Sequence, residues 1–546
     1  MFQPSVSRGR RACRVLRVQA QAPLGRSSTN HWHTFSPSHF YSSTTSKSTS
    51  NRNSKKYTTA ITAGLLSSTS LLWWLVGTSG PSQSQSQEGE VPHLNTQIPS
   101  GQCKSGLSEE DVTAILSKNA YSYRVHDISG VDRYDGAQVA SNSPCEDTFV
   151  HGSFPPPLPL ASTDGNRDES QSQSQWMAWA VFDGHLGRQT ADVLQRELIG
   201  YVSRRINALQ PSEITDDGAI QRAIVQGFTD LDEAIFATAM SAAADTDIET
   251  EESLASKVQK MMPAFAGSCA LLTLFDPRTR TLHVACTGDS RAVLAQQNRD
   301  NNGSGSWRTT QLSTDQTGSN ESEIARVNAE HPGESGIVRG GRVLGLMVSR
   351  AFGDGQWKWP VEIQKDLKER FHGPGLLNPR YEVRTPPYIT AEPVVTSTRV
   401  EDGNAAFVVL GTDGLWDFMG SHQAVELVGR WIDAHAHAHG QKAVDKGSLE
   451  PGSDFGVRGG QFDFGRLGKK TSEPWGFAEG RTTVQDSNSA VHLIRNAFGG
   501  AHRELISARL AFEAPHSRRV RDDTTVQVVF FNMKDLVERG DRGRGE

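Results

Sequence analysis

Four aspartates stand at the edges of short apolar runs, and their settings are alike. They are Asp183 in Val181-Phe182-Asp183-Gly184-His185, Asp289 in Cys286-Thr287-Gly288-Asp289-Ser290-Arg291, Asp413 in Leu410-Gly411-Thr412-Asp413-Gly414, and Asp522 in Arg521-Asp522-Asp523-Thr524-Thr525. Carboxylates gathered in one place repel each other and raise each other's pKa values unless a cation joins them. An all-oxygen donor set favours magnesium or manganese over zinc. Asp183-Gly184-His185 carries the most information. Asp183 could bridge two cations, Gly184 has no Cβ to keep its carbonyl from a metal, and His185 is placed to exchange a proton beside them. Two cations about 3.5–4 Å apart can activate a bridging water and clamp a phosphoryl group for in-line attack. His185 would then protonate the departing alkoxide, a contribution of roughly 10²–10⁴-fold. Glu146-Asp147, before Phe149-Val150, is a fifth acidic position that could hold a metal through water, and Asp289 could hold a further cation beside Asp413. The plainer reading of Asp183-Gly184-His185 is a tight turn with a capping Asp and a surface His. Three more strand-end aspartates weigh against it.

Such a cluster needs elements that end together. Trp176–Phe182, Leu282–Cys286 and Phe407–Leu410 read as buried strands that each lead into one aspartate, and Val526–Phe531 as a strand that Asp522 precedes. Helices are expected at 219–240, with Ile220, Ile224, Phe228, Leu231 and Ile235 on one face, at 422–433 capped by Ser421, and at 490–510. Ser108 and Asp111 look like an N-cap pair before Val112, Ile115 and Leu116. Strands and helices follow no regular βαβ rhythm, which favours an α+β sandwich over a parallel sheet. Order is expected over 105–534, with surface insertions near 151–175, 296–308 and 434–485, and a charged tail at 535–546. Trp357 and Trp359 are expected to anchor a flap. Ser349, Arg350 and Asp354 are expected to structure a loop, Asp523 either to support the ligand residues from behind or to form a turn, and His435, His437 and His439 to lie in a solvated tail.

Charge divides the chain sharply. Residues 1–87 hold ten Lys or Arg and no Asp or Glu; the whole chain carries −6, so the remainder carries −16. An Arg- and Ser-rich, acid-free start over 1–56 has the composition of a mitochondrial targeting segment. Residues 58–77 are uncharged and about the ~20 residues a spanning helix needs, with Lys55 and Lys56 on one flank and Trp73-Trp74 suited to an interfacial belt. Residues 57–79 are thus a candidate inner-membrane anchor, or a sorting segment that is cleaved off. Residues 80–104 read as a flexible linker. Five cysteines lack pairing or metal spacing, and the acidic body argues against nucleic acid as a partner.

Glu146-Asp147, Val181–Gly187, Gly267–Cys269, Gly288–Arg291, Leu344–Asp354, Gly411–Asp417 and Arg521–Thr525, in that order, resemble the metal-dependent type 2C Ser/Thr protein phosphatases. The resemblance implies a four-layer αββα sandwich of two antiparallel sheets flanked by helices, with two Mg²⁺ or Mn²⁺ ions at one end and room for a third. It implies that Asp183 bridges the ions, Gly184 offers its carbonyl, Asp413 and Asp522 complete one ion, Glu146 reaches the other through water, and His185 is the general acid. Ser141–Asp147, Val348–Asp354 and Pro379–Pro393 resemble the pyruvate dehydrogenase phosphatase branch and its fungal mitochondrial relatives. That branch implies a phosphorylated protein substrate, pyruvate dehydrogenase E1, in mitochondria. Many type 2C enzymes place a phosphate-gripping Arg four residues before the Glu-Asp pair; here Asn142 stands there, as in that branch. Arg133 is a second phosphate-binding candidate by proximity in sequence. A phosphatase-like binding protein without activity is an alternative, and retention of Asp183, Asp413 and Asp522 argues against it. Two further alternatives are a two-metal hydrolase of small phosphate esters and a type 2C phosphatase with a different substrate in the matrix or intermembrane space.

Overall fold

A computed structural model describes residues 106–154, 175–244, 252–299, 305–437 and 476–533. The targeting stretch, the candidate anchor, the linker, the charged tail and most of two expected insertions (155–174 and 438–475) lie outside the described residues. Among the described residues no helix is long and apolar enough to cross a membrane.

The strands that lead into the aspartates belong to two antiparallel sheets. In chain order the strands are β1 (Tyr121–Arg124), β2 (Val131–Val139), β3 (Thr148–Phe154), β4 (Trp176–Phe182), β5 (Ala270–Asp276), β6 (Thr281–Thr287), β7 (Arg291–Arg299), β8 (Gly305–Gln311), β9 (Val394–Arg399), β10 (Ala406–Gly411) and β11 (Thr524–Phe531). One sheet has the order β1-β2-β11-β10-β7-β8, the other β9-β6-β5-β4-β3. β4 is buried at every position because its two faces meet different layers. Trp176, Ala178, Ala180 and Phe182 pack against helices, while Met177, Trp179 and Val181 pack against the other sheet. A strand covered on both faces loses the apolar–polar alternation of a half-solvated one.

Helices close both outer faces. α1 (Glu109–Ser117), α2 (Gln189–Asn207), α3 (Asp217–Ala244) and α4 (Leu254–Phe265) come before the flap, and α5 (Ser421–His437), α6 (Ser489–Phe498) and α7 (Arg503–Ala511) after it. α2–α4 cover the five-stranded sheet, with Ile220, Ile224, Phe228, Leu231 and Ile235 all buried. α1 and α5–α7 cover the six-stranded sheet. The result is the αββα sandwich. Ser108 caps α1 as expected: its Oγ accepts from Asp111 N at 3.1 Å, and the Asp111 carboxylate accepts from Ser108 N at 3.2 Å.

Three local expectations differ. Ser421 is the first residue of α5 rather than its cap; Gly420 precedes it, and its N–H donates to Gln423 Oε1 at 2.8 Å. The 490–510 stretch is two helices, not one. Gly499 and Gly500 both have positive φ, and a Cβ on Gly500 would sit 1.9 Å from Arg481 O, so the chain turns where only glycine fits. Most of 296–308 belongs to the β7–β8 hairpin, in which Gln297 pairs with Trp307. Trp307 lies against Phe407, and this packing overrides the polar composition.

Residues between β8 and β9 form a flap with its own core, including Val327, Val343, Trp357 and Tyr388. A buried network pins it. Glu323 accepts from Arg350 Nη2 at 2.8 Å, from Arg326 Nη2 at 2.7 Å and from Ser349 Oγ at 2.8 Å. Ser349 and Arg350 therefore structure the loop, as expected.

Candidate metal centre

Asp183 immediately follows β4, Asp289 lies in the β6–β7 turn, Asp413 lies two residues past the end of β10 and opens the short helix Asp413–Trp416, and Asp522 lies just before β11. Both sheets thus deliver carboxylates to one end of the sandwich. One carboxylate oxygen from each of Asp183, Asp289 and Asp413 lies within 4.8 Å of the others.

Close backbone approaches fix these positions. A Cβ on Gly184 would sit 2.3 Å from Glu146 O, and one on Gly414 would sit 2.1 Å from Asp523 O. Only glycine lets the Asp183 turn lie against the Glu146 loop and the Asp413 turn against Asp523. Asp523 organises that loop in turn, accepting from Asn142 N at 2.8 Å and Glu146 N at 2.7 Å. It supports the Glu146 loop from behind, the first of its two expected roles. Asp147 spans the two sheets: it precedes β3 and accepts from Thr412 Oγ1 at 2.9 Å and Thr525 Oγ1 at 2.8 Å.

The electrostatics call for a cation. Burial, then the charges of Asp413, Asp147, Asp289 and Asp522, push Asp183 well above the usual carboxylate range. Burial, then Asp289 and Asp522, does the same to Asp413. Asp289 is pushed up to about 6, mainly by burial. Asp413 Oδ1 is buried with no hydrogen-bond partner among the described residues. Hard oxygen donors, mutual repulsion and an unpartnered buried oxygen together fit divalent cations of the magnesium or manganese kind. Asp522 and Glu146 border this group. Burial raises both, and Arg518 counters it: Arg518 Nη2 donates to Asp522 Oδ2 at 2.7 Å, and Nη1 lies 3.8 Å from Glu146 Oε2.

His185 lies beside the cluster on a two-residue strand paired with Gly267-Ser268. Its Nε2 is 2.7 Å from Asp354 Oδ2. Burial alone would lower its pKa, but the Asp354 charge and hydrogen bond outweigh that and raise it. Asp354 is fully buried in a left-handed conformation, φ 55°. Expected only to structure its loop, it instead contacts the general-acid candidate. The surrounding Ser349–Asp354 motif flagged the loop, but the partner lies 169 residues away and carried no sequence signal.

The two phosphate-binding candidates fare differently. Asn142 is at the site, but its amide donates to Glu146 Oε2 at 3.1 Å and Asp523 Oδ2 at 3.0 Å. Arg133 is not at the site. Val139 pairs with Thr524 beside Asp522, whereas Arg133 pairs with Phe530 at the other end of β2, about 20 Å along the strand. There it forks onto Asp135 at 2.8 and 3.0 Å and stacks over Trp431. Nearness in sequence misplaced it because a strand carries its ends apart. The guanidinium at the cluster is Arg518; its sole sequence clue is the four-residue spacing from Asp522.

A family profile described as protein phosphatase 2C matches residues 159–449. A protein phosphatase 2C homologue of Schizosaccharomyces pombe is 37% identical over 413 residues, covering 74% of this chain and 82% of the relative. The mitochondrial [pyruvate dehydrogenase [acetyl-transferring]]-phosphatase 1 of Saccharomyces cerevisiae is 35% identical over 442 residues, covering 78% and 73%. Its Homo sapiens namesake is 28% identical over 491 residues, covering 78% and 83%.

Proposed function

The chain belongs to the protein phosphatase 2C family and is a metal-dependent protein serine/threonine phosphatase, and from that premise we propose that it acts in mitochondria on phosphorylated pyruvate dehydrogenase E1. The names of the yeast and human relatives support the substrate, and the acid-free basic N-terminus supports the compartment. Anchoring in the inner membrane through 58–77 remains part of the proposal.

The observation that carries the mechanism is the convergence of Asp183, Asp289 and Asp413 beside the His185–Asp354 pair. Asp183, Asp413 and Asp522, with Gly184 through its carbonyl, Glu146 through water, and Asp289, would hold two ions and a candidate third. When bound, the ions supply a hydroxide-like nucleophile and neutralise phosphoryl charge. His185 supplies the proton. Asp354 occupies Nε2, so Nδ1 is the ring nitrogen open to the leaving oxygen, with no partner among the described residues. As the P–O bond breaks, that oxygen leaves as an alcohol by taking the imidazolium proton. Asp354 holds the ring in place and keeps it protonated for this transfer.

The test is phosphate release by the full chain at saturating Mn²⁺ or Mg²⁺. The substrates are phosphorylated pyruvate dehydrogenase E1 and an unrelated phosphothreonine peptide, with Asp183→Asn as control. Metal-dependent release from E1 at a higher kcat/KM than from the peptide, lost in the variant, is the expected result. Equal or better turnover of the peptide would discard the substrate.

A further inference from the structure

We propose that Arg518 grips the substrate's phosphoryl group, in place of the uncharged Asn142. The proposal rests on the phosphatase reading above. Asn142 is already committed. Its amide nitrogen has two hydrogens, one donated to Glu146 and one to Asp523, and it brings no charge to a dianion. Arg133 is held at the far end of its strand by Asp135.

Arg518 has the position and the chemistry that both lack. It stands on a 3₁₀ turn, His516–Arg519. The hydroxyl of its buried neighbour Ser517 donates to Ser141 O, which fixes the turn to the loop carrying Glu146. From there the guanidinium touches Asp522 at 2.7 Å and approaches Glu146 at 3.8 Å. These are two of the carboxylates that would hold the ions. The side chain is 45% exposed, so part of it is open to solvent beside the cluster. A guanidinium has five donors in a plane, and Asp522 engages only part of it. Such a fork matches two phosphoryl oxygens at once, which a lysine ammonium cannot do. Once Asp522 and Glu146 serve a cation, the arginine is freed from them yet stays beside the reacting phosphate. The other guanidinium near the His185 turn, Arg188, is held by Asp192 through contacts of 2.9–3.1 Å.

The test uses the full chain with Mn²⁺. Binding of inorganic phosphate and of Mn²⁺ is followed by calorimetry, and KM and kcat are measured on a phosphothreonine peptide. Arg518→Ala is expected to weaken phosphate binding and raise KM tenfold or more. Mn²⁺ should bind as well as before or more tightly, because a competing cation has gone. Arg518→Lys should recover part of the loss, and Arg188→Ala should match the wild type. Wild-type phosphate affinity and KM in Arg518→Ala, with tighter Mn²⁺ alone, would overturn the proposal and leave Arg518 as a counter-ion only. Should the alanine variant unfold, Arg518→Gln, which keeps a donor for Asp522, carries the same comparison. If the wild type binds phosphate through Arg518 but hydrolyses no phosphopeptide, the phosphatase reading fails and the grip stands.

Discussion

His185 serves as an acid only while it holds a proton and points it the right way, and Asp354 provides for both. Because Asp354 raises the His185 pKa, Asp354→Asn should move the alkaline limb of the kcat–pH profile to lower pH. At neutral pH, kcat on a phosphothreonine peptide should fall about 10–100-fold, within the usual span of general-acid catalysis. An aryl phosphate whose leaving group needs no proton should be nearly spared. An equal loss on both substrates would mean that Asp354 supports only the fold. The strand-end aspartates were legible in the sequence because each is announced by its own apolar run. Asp354 and Arg518 were not, because their meaning is a side-chain contact: Asp354 meets a residue 169 positions away, and Arg518 meets Glu146 from the far end of the chain. Arg133 shows the opposite error, closeness in sequence along an extended strand that separates its ends by about 20 Å.

At the scale of elements, long periodic helices were the readable ones. α3 buries the five residues that its spacing marked, since a 3.6-residue stripe must face something apolar. The 490–510 stretch misled because its periodicity runs through Gly499-Gly500, where positive φ and the nearby Arg481 carbonyl turn the chain. The flap was legible only in outline, because buried ionic contacts as well as periodicity hold it. Its pin is Glu323. Burial works to raise the Glu323 pKa, but hydrogen bonds from Arg350, Arg326 and Ser349 outweigh it and hold it at about 2. Its folded pKa is therefore below its unfolded value, so its contribution to stability is fully present above pH ~4.5 and is lost as pH falls towards 2. Glu323→Gln should cost about 3 kcal/mol at pH 7, with the gap from wild type closing below about pH 3. Urea unfolding at both pH values measures it, and a pH-independent gap would assign the loss to packing alone.

Across the whole molecule, the cluster joins the two sheets at one end. β4 brings Asp183 from one sheet, β10 and β11 bring Asp413 and Asp522 from the other, and Asp289 lies where β6 crosses to β7. This closure was legible only through the family resemblance, since strands buried on both faces carry no alternation to show which sheet they join. Without metal, the arrangement concentrates negative charge where the sheets must stay together. The folded pKa values of Asp183, Asp289 and Asp413 lie above their unfolded values, with Asp289 at about 6. Carboxylates shifted in that direction favour the fold below pH ~4, and that contribution is lost as pH rises through the folded values. Through this cluster the metal-free chain should lose stability from pH 5 to pH 7.5. His151, His283 and His492, whose pKa values burial lowers, act in the opposite direction. The cluster is therefore read from the Tm difference between the wild type and Asp183→Asn, which should grow in favour of the variant as pH rises. Glu323 adds no slope across that interval, being ionised in both states. Metal binding needs ionised ligands, so its effect has the opposite slope. At a hundredfold excess over Kd, one ion adds about 2.7 kcal/mol. Thermal unfolding with EDTA and with Mn²⁺ at both pH values is the measurement. Mn²⁺ should raise Tm more at pH 7.5 than at pH 5, and Asp183→Asn should both raise the metal-free Tm at pH 7.5 and shrink the Mn²⁺ increment. A metal-free Tm difference between wild type and Asp183→Asn that stays the same from pH 5 to 7.5, or an increment untouched by Asp183→Asn, would mean that this cluster is not where the cation ties the sheets.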